Sequence, residues 1–183
     1  MFISMVNFAT ARAGILGYKF EHFEKYSDGK SESIFYCLRN IVLEHQDLIR
    51  YVGRVNDALK WYFLGEFVVK SYHITVTLSN VLEATNWRDL IYYIPFMLSV
   101  VVQVFVIYYH VNELFLKSTN LGMRIYKGNW YDQTSEVTKS LLIVMSRVQR
   151  PFVLSIGNFR VIDNDLLVSM TQAAYTFVLY QMI

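Results

Sequence analysis

The sequence predicts an all-α membrane protein, and three observations predict it. Hydrophobic residues make up 54% of the 183 and charged residues only 17%, and mean hydropathy is positive at +0.28. A soluble chain of this length buries about 70% of its unfolded surface, so this much apolar material calls for a lipid solvent. Uncharged or weakly charged stretches of spanning length recur along the chain. Lys and Arg, finally, are distributed unevenly between the segments that join those stretches. Eight fall in residues 10–60, one (Arg88) in 83–89 and six in 110–150. Under the positive-inside rule this places 10–60 and 110–150 in the cytoplasm and 83–89 outside. The last helix then runs outward, an inverted topology with an extracellular C-terminus. The architecture expected is about three transmembrane helices plus long intracellular helical extensions.

Taken in order, "MFISMVNFATARAG" lacks the basic start of a signal peptide, and Ser4, Asn7 and Thr10 interrupt its apolar run. It reads as the end of a helix, the stub of a preceding span. Residues 31–60 place Ile34, Leu38, Ile41, Leu48, Val52, Val55 and Leu59 at a helical period with charge on the other faces. With the stub they form a first region, 1–60. No breaker separates them from 61–82, which is long enough to span and carries Trp61 and Tyr62 at one end, but holds Glu66, Lys70 and His73 inside. Residues 90–109 have no charge and a tyrosine pair at each end, Tyr92–Tyr93 and Tyr108–Tyr109, as an aromatic belt would place them. Pro95 is expected to kink this span mildly. The two spans and their short external loop make a second region, 61–109. The third, 110–151, is expected to be a polar intracellular loop, 110–134, followed by an amphipathic helix stopped by Pro151. The fourth, 152–183, turns around Gly157 and ends in a final span from about Asp165.

Chemistry leaves few traces. Catalytic motifs with a serine nucleophile, a zinc-binding His pair or a phosphate-cradling glycine loop are missing from the sequence, so neither catalytic residues nor a cofactor are expected. The four histidines lack metal-ligand spacing, and Cys37 is the only cysteine, so no metal site is expected. A net charge of +2 gives nucleic acid no footprint. Glu66, Lys70 and His73 lie on consecutive turns of one helix face. They fit an i,i+4 ion pair in a partly inserted helix or an intramembrane acid–base group. Tyr93, Phe96, Met97 and Val100 share one face in the outer half of the 90–109 span, which suits an apolar ligand pocket or ordinary helix packing. In the final segment Asp165, Ser169, Gln172, Thr176 and Tyr180 are spaced 4, 3, 4 and 4 apart, one polar stripe on a helix otherwise uncharged. Such a stripe lines a water-filled pore, which one helix cannot enclose alone, or hydrogen-bonds to neighbouring helices.

The ordered features of the C-terminal third resemble the insect odorant receptors, a family of seven-helix ligand-gated channels. They are Trp130 and the amphipathic helix after it, Gln149–Arg150–Pro151, the turn at Gly157, and a span containing Ala174–Tyr175–Thr176–Phe177. The helical run 31–82 resembles the family's intracellular extension continuing into the fifth span. The resemblance implies a multi-pass plasma-membrane subunit that joins an odorant co-receptor in a heterotetramer. It implies that Asp165, Ser169, Gln172, Thr176 and Tyr180 line the pore, with Tyr180 near the outer gate, where the co-receptor carries a smaller apolar residue. It also implies that a volatile apolar small-molecule ligand meets the sixth span, 90–109, at Tyr93, Phe96, Met97 and Val100, and that its binding opens the gate to cations. Family members are about twice as long. The chain would then correspond to the end of the fourth span through the seventh, a partial receptor. The related gustatory receptors are a near alternative: Tyr175 and Gln181 keep their C-terminal spacing, while Ala174 and Met182 depart from it. A non-catalytic membrane scaffold or a transporter fragment is the alternative from a different class.

Overall fold

The computed structural model describes residues 1–26 and 31–162, together with 168, 169, 172, 175, 176 and 180. Its helices are α1 (Phe2–Glu21), α2 (Ser31–Glu83), α3 (Trp87–Lys127) and α4 (Ser135–Val148). A short 3₁₀ turn, Phe23–Tyr26, follows α1. Two-residue strands, β1 (Ser155–Ile156) and β2 (Arg160–Val161), form a small antiparallel hairpin. The all-α reading holds, with that hairpin added. The described residues contain one helix long and apolar enough to cross a membrane, α3. The 61–82 stretch is helical within α2, but its charged residues leave α2 below that standard. The third expected span falls largely outside the described residues.

The chain divides into two compact units. The first comprises Met1–Asp57 and His110–Val153. Its core is a set of interlocking helical seams. From α1 come Val6, Ala9, Ala13, Leu16 and Phe20, and from α2 come Leu38, Ile41, Leu48, Val52 and Val55, all buried. Burying each of these side chains larger than alanine contributes about 1.5–3 kcal/mol. The seam of α2 is the one expected from spacing, with one addition: His45, 4% exposed, fills the register position between Ile41 and Leu48. From α4 come Val137, Leu141, Val144 and Val148.

The structure corrects one expectation here. Residues 110–134, expected as a polar loop, are helical as far as Lys127. Val111, Leu114, Ser118, Leu121 and Ile125 recur at steps of three and four, and all are buried. The charges between them drew the sequence reading toward a loop, whereas the period marks an amphipathic helix. Two glycines allow α1 and α3 to approach. A side chain at Gly17 would lie 2.5 Å from Arg124 Cδ, and one at Gly128 3.2 Å from the Phe20 carbonyl oxygen. Arg124 crosses at that notch and its Nη1 reaches Glu21 Oε2 at 3.5 Å. After Pro151 ends the helical run, Phe152 turns into the core, its N–H donating to Ser118 Oγ at 2.9 Å.

The second unit comprises Ala58–Tyr109 and Leu154–Ile183. In it α2 and α3 run antiparallel, joined by residues 84–86. Pro95 lies within α3 and the helix continues through it; its missing N–H leaves the carbonyl of Ile91 without an intrahelical partner. The hairpin docks on α2 through Gly157, whose N–H donates to the Lys60 carbonyl at 2.7 Å. Gly157 has φ +55°. That is the positive φ a tight hairpin turn demands, and glycine adopts it at little cost.

Candidate functional site

The paired halves of α2 and α3 in the second unit carry most of the residues singled out by the sequence. Val100 is buried against the pair, Tyr93 and Met97 are half-buried, and Phe96 is exposed on the flank. The four predicted residues therefore share one side of α3, with Phe96 at its edge. Phe96 is not isolated there, because its ring centroid lies 5.8 Å from that of His73 on α2.

Glu66, Lys70 and His73 prove to be one edge of a polar cluster between the two helices. Tyr62 Oη donates to Glu66 Oε1 at 3.0 Å. Lys70 Nζ stands 3.7 Å from Glu66 Oε2 and donates to Gln103 Oε1 on α3. The i,i+4 ion pair of the sequence reading is present. Gln103, which the sequence reading passed over, is its third member. The signal for it was available: a lone amide inside an uncharged twenty-residue span is expensive to leave unpaired. Chemically the arrangement is a neutralised ion pair, the form in which charge is tolerated in hydrocarbon. No group of three or more ligating side chains that would hold a metal exists among the described residues.

Of the polar stripe, Ser169 is half-buried, and Gln172, Thr176 and Tyr180 are exposed in helical backbone. Thr176 Oγ1 donates to the Gln172 carbonyl at 2.8 Å. Asp165 lies outside the described residues. What the described positions supply is a file of neutral dipoles along one helix face.

Two further features lie in the first unit. Cavities of about 310 and 330 Å³ open there, one beside Lys19, Cys37 and Glu44, the other between α2 and α4 at Leu38, Val42 and Ile143. Neither contains a residue singled out for ligand or pore. Burial pushes the Cys37 thiol above its ordinary pKa; Lys19 opposes the shift and Glu44 adds to it. A raised pKa keeps the thiol protonated and inert as a nucleophile.

The model of the 7tm odorant receptor family matches residues 1–175. Odorant receptor 30a of Drosophila melanogaster is 24% identical over 178 residues, 97% of this chain and 46% of the relative. Odorant receptor 10 of Aedes albopictus is 24% identical over 139 residues, 75% of this chain and 36% of that protein. The chain thus spans less than half the length of these relatives. Its fold matches the structure of the insect olfactory receptor OR5 from Machilis hrabei, solved in complex with eugenol, with a TM-score of 0.85. The match covers 100% of this chain and 47% of that receptor at 20% sequence identity. From residue 1 to residue 175 the chain belongs to the 7tm odorant receptor family, a family of membrane receptors rather than enzymes.

Proposed function

We propose that this chain is part of an odorant receptor subunit in a ligand-gated cation channel of the plasma membrane, and that its last helix contributes to the pore. The observation that carries the reading is the file Ser169, Gln172, Thr176 and Tyr180, with Gln172, Thr176 and Tyr180 exposed on one face of an uncharged helix. Acyl chains cannot solvate such a file, and pore water can. Asp165 extends it by sequence spacing. A single helix encloses nothing, so the reading includes an assembly, a heterotetramer with an odorant co-receptor. The Lys/Arg counts support a multi-pass topology with 10–60 and 110–150 cytoplasmic, 83–89 outside, spans at 61–82 and 90–109 and from about Asp165, and the C-terminus outside. The ligand is a volatile small molecule that meets Tyr93, Phe96, Met97 and Val100. The solved Machilis relative carries eugenol, which supports a small-molecule ligand here as well.

The test is electrical. The receptor containing this chain is expressed in oocytes with a co-receptor subunit, and Gln172→Leu and Thr176→Val are introduced together. The expected outcome is a ligand-evoked current with altered cation selectivity and smaller amplitude at normal surface expression. Unchanged selectivity and gating would sink the pore assignment in favour of a stripe that glues helices together.

A further inference from the structure

The polar cluster leaves one of its members unsatisfied. Glu66 receives Tyr62 and faces Lys70, and Lys70 is taken up by Gln103. Of Glu66, Lys70 and His73, only His73 forms no hydrogen bond among the described residues. Its neighbours are two rings, Tyr72 at 6.3 Å and Phe96 at 5.8 Å. His73 stands ten residues before the end of α2 at Glu83. On the reading of 61–82 as a span that ends near Glu83, at 1.5 Å per residue that is about 15 Å, half the hydrocarbon thickness. An imidazole is too short to reach interfacial water from there, and leaving its donor and acceptor unpaired in an apolar medium is costly.

We propose that His73 is a ligand-contacting residue that selects volatile molecules with an apolar body and one hydrogen-bonding oxygen: alcohols, ketones, esters or phenols. The assignment rests on the reading of Tyr93, Phe96, Met97 and Val100 as the ligand face. Phe96 connects the two, because its ring centroid lies 5.8 Å from that of His73 and the residue is 47% exposed. A molecule lying on Phe96 and Met97 therefore has His73 at the rim of its site. An imidazole in its neutral form offers one donor and one acceptor, so such a ring accommodates a hydroxyl or a carbonyl alike. Saturated hydrocarbons leave it unpaired. A site built to bond an oxygen discriminates against the analogue lacking it more sharply than an apolar pocket discriminates by size. Lys70 and Glu66 do not compete for the oxygen, since each already has a partner in the cluster.

The experiment measures half-maximal concentrations for matched pairs, an alcohol or ketone and the hydrocarbon of equal carbon number. The receptor containing this chain is expressed with its co-receptor subunit. His73→Leu is expected to raise the value for the oxygenated member about tenfold and to leave the hydrocarbon unchanged. His73→Gln retains a donor and an acceptor and is expected to keep most of the preference; it also serves where the leucine variant fails to reach the surface. Phe96→Ala is expected to weaken both members of each pair. An unchanged oxygenated-to-hydrocarbon ratio in His73→Leu, with Phe96→Ala impaired, overturns the role of His73 alone. If the leucine variant is absent from the surface, loss of the whole preference in His73→Gln, equal to that in His73→Phe, overturns its hydrogen-bonding role. Unimpaired responses to both members in Phe96→Ala and Met97→Ala overturn the ligand face and the His73 assignment with it.

Discussion

The same two helices, α2 and α3, are built by opposite rules in the two units. In the first unit a buried apolar seam recurs at steps of three and four, and the exposed faces mix charge with apolar side chains: Arg39, Asp47, Arg50 and Arg54 on α2 are all exposed, as are Phe35, Tyr36 and Leu43. In the second unit most of the large apolar residues are outside, Phe63 and Val100 being buried. Ile91, Ile94, Leu98, Val101, Val102 and Phe105 of α3 are exposed, as are Val68, Val69 and Tyr72 of α2. Only 6% of the most apolar eighteen-residue window of α3 is buried. The polar groups there, Glu66, Lys70 and Gln103, are instead tied to one another. The difference teaches that helix formation is common to both units, while what each surface needs depends on its solvent. Water rewards an apolar seam and a charged exterior. Lipid removes the penalty for an apolar exterior and imposes one on unpaired polar groups.

Core truncation breaks that comparison most directly. Leu48→Ala, at a position 1% exposed, is expected to cost about 3–5 kcal/mol. Leu98→Ala, at 61%, is expected to cost less than about 0.5 kcal/mol in detergent. Denaturation of the purified chain in detergent measures both, and equal losses would mean that α3 has a packed core where it presents an open apolar face.

A smaller effect comes from pH, through a histidine of the first unit. His45 lies between the rings of Phe20 and Phe152, each 6.2 Å away. Burial disfavours its charged form, and the nearby Arg147 disfavours it further, so its pKa lies below the ordinary value of 6.5. As pH falls, the unfolded chain takes up the proton first. This contribution to stability is therefore full above about pH 6.5 and is lost as pH drops below it. Thermal unfolding between pH 7.5 and 5.5 should show the decline in the wild type and a flatter profile in His45→Phe. Identical slopes would place the titrating group elsewhere.

The smallest effect sharpens the contrast in how charge is used. Arg50 and Asp47 pair at 2.5 Å with side chains 69% and 57% exposed. Arg50→Ala is expected to cost only about 0.2–0.5 kcal/mol, and that cost should fall with added salt. A loss that salt does not change would show that the pair is shielded from water.

Much of the fold is legible in the sequence because helical periodicity and span-length apolar runs are local. Leu38, Ile41, Leu48, Val52 and Val55 were readable as one seam, and Val137 to Val148 as an amphipathic helix. His45 was missed because a polar residue at a core register reads as a break, although its position between Ile41 and Leu48 pointed inward. The helical run through 110–127 was missed for the complementary reason: charges at Glu113, Lys117 and Arg124 outweighed the buried series in the reading. In the candidate site, the face Tyr93, Met97 and Val100 was readable from spacing. The junction of Phe96 with His73 was not, since it joins residues on two helices.

The sequence by itself determined that the chain is helical, that its last third resembles the C-terminal part of the odorant receptors, and where its apolar runs lie. Each follows from the order of residues along the chain. Only the tertiary structure decided which apolar residues are buried and which face outward, because periodicity is the same for a core seam and a lipid-facing one. It also decided that Gln103 completes the Glu66–Lys70 pair and that His73 is left over beside Phe96. Those pairings depend on the register of α2 against α3, which no local pattern contains.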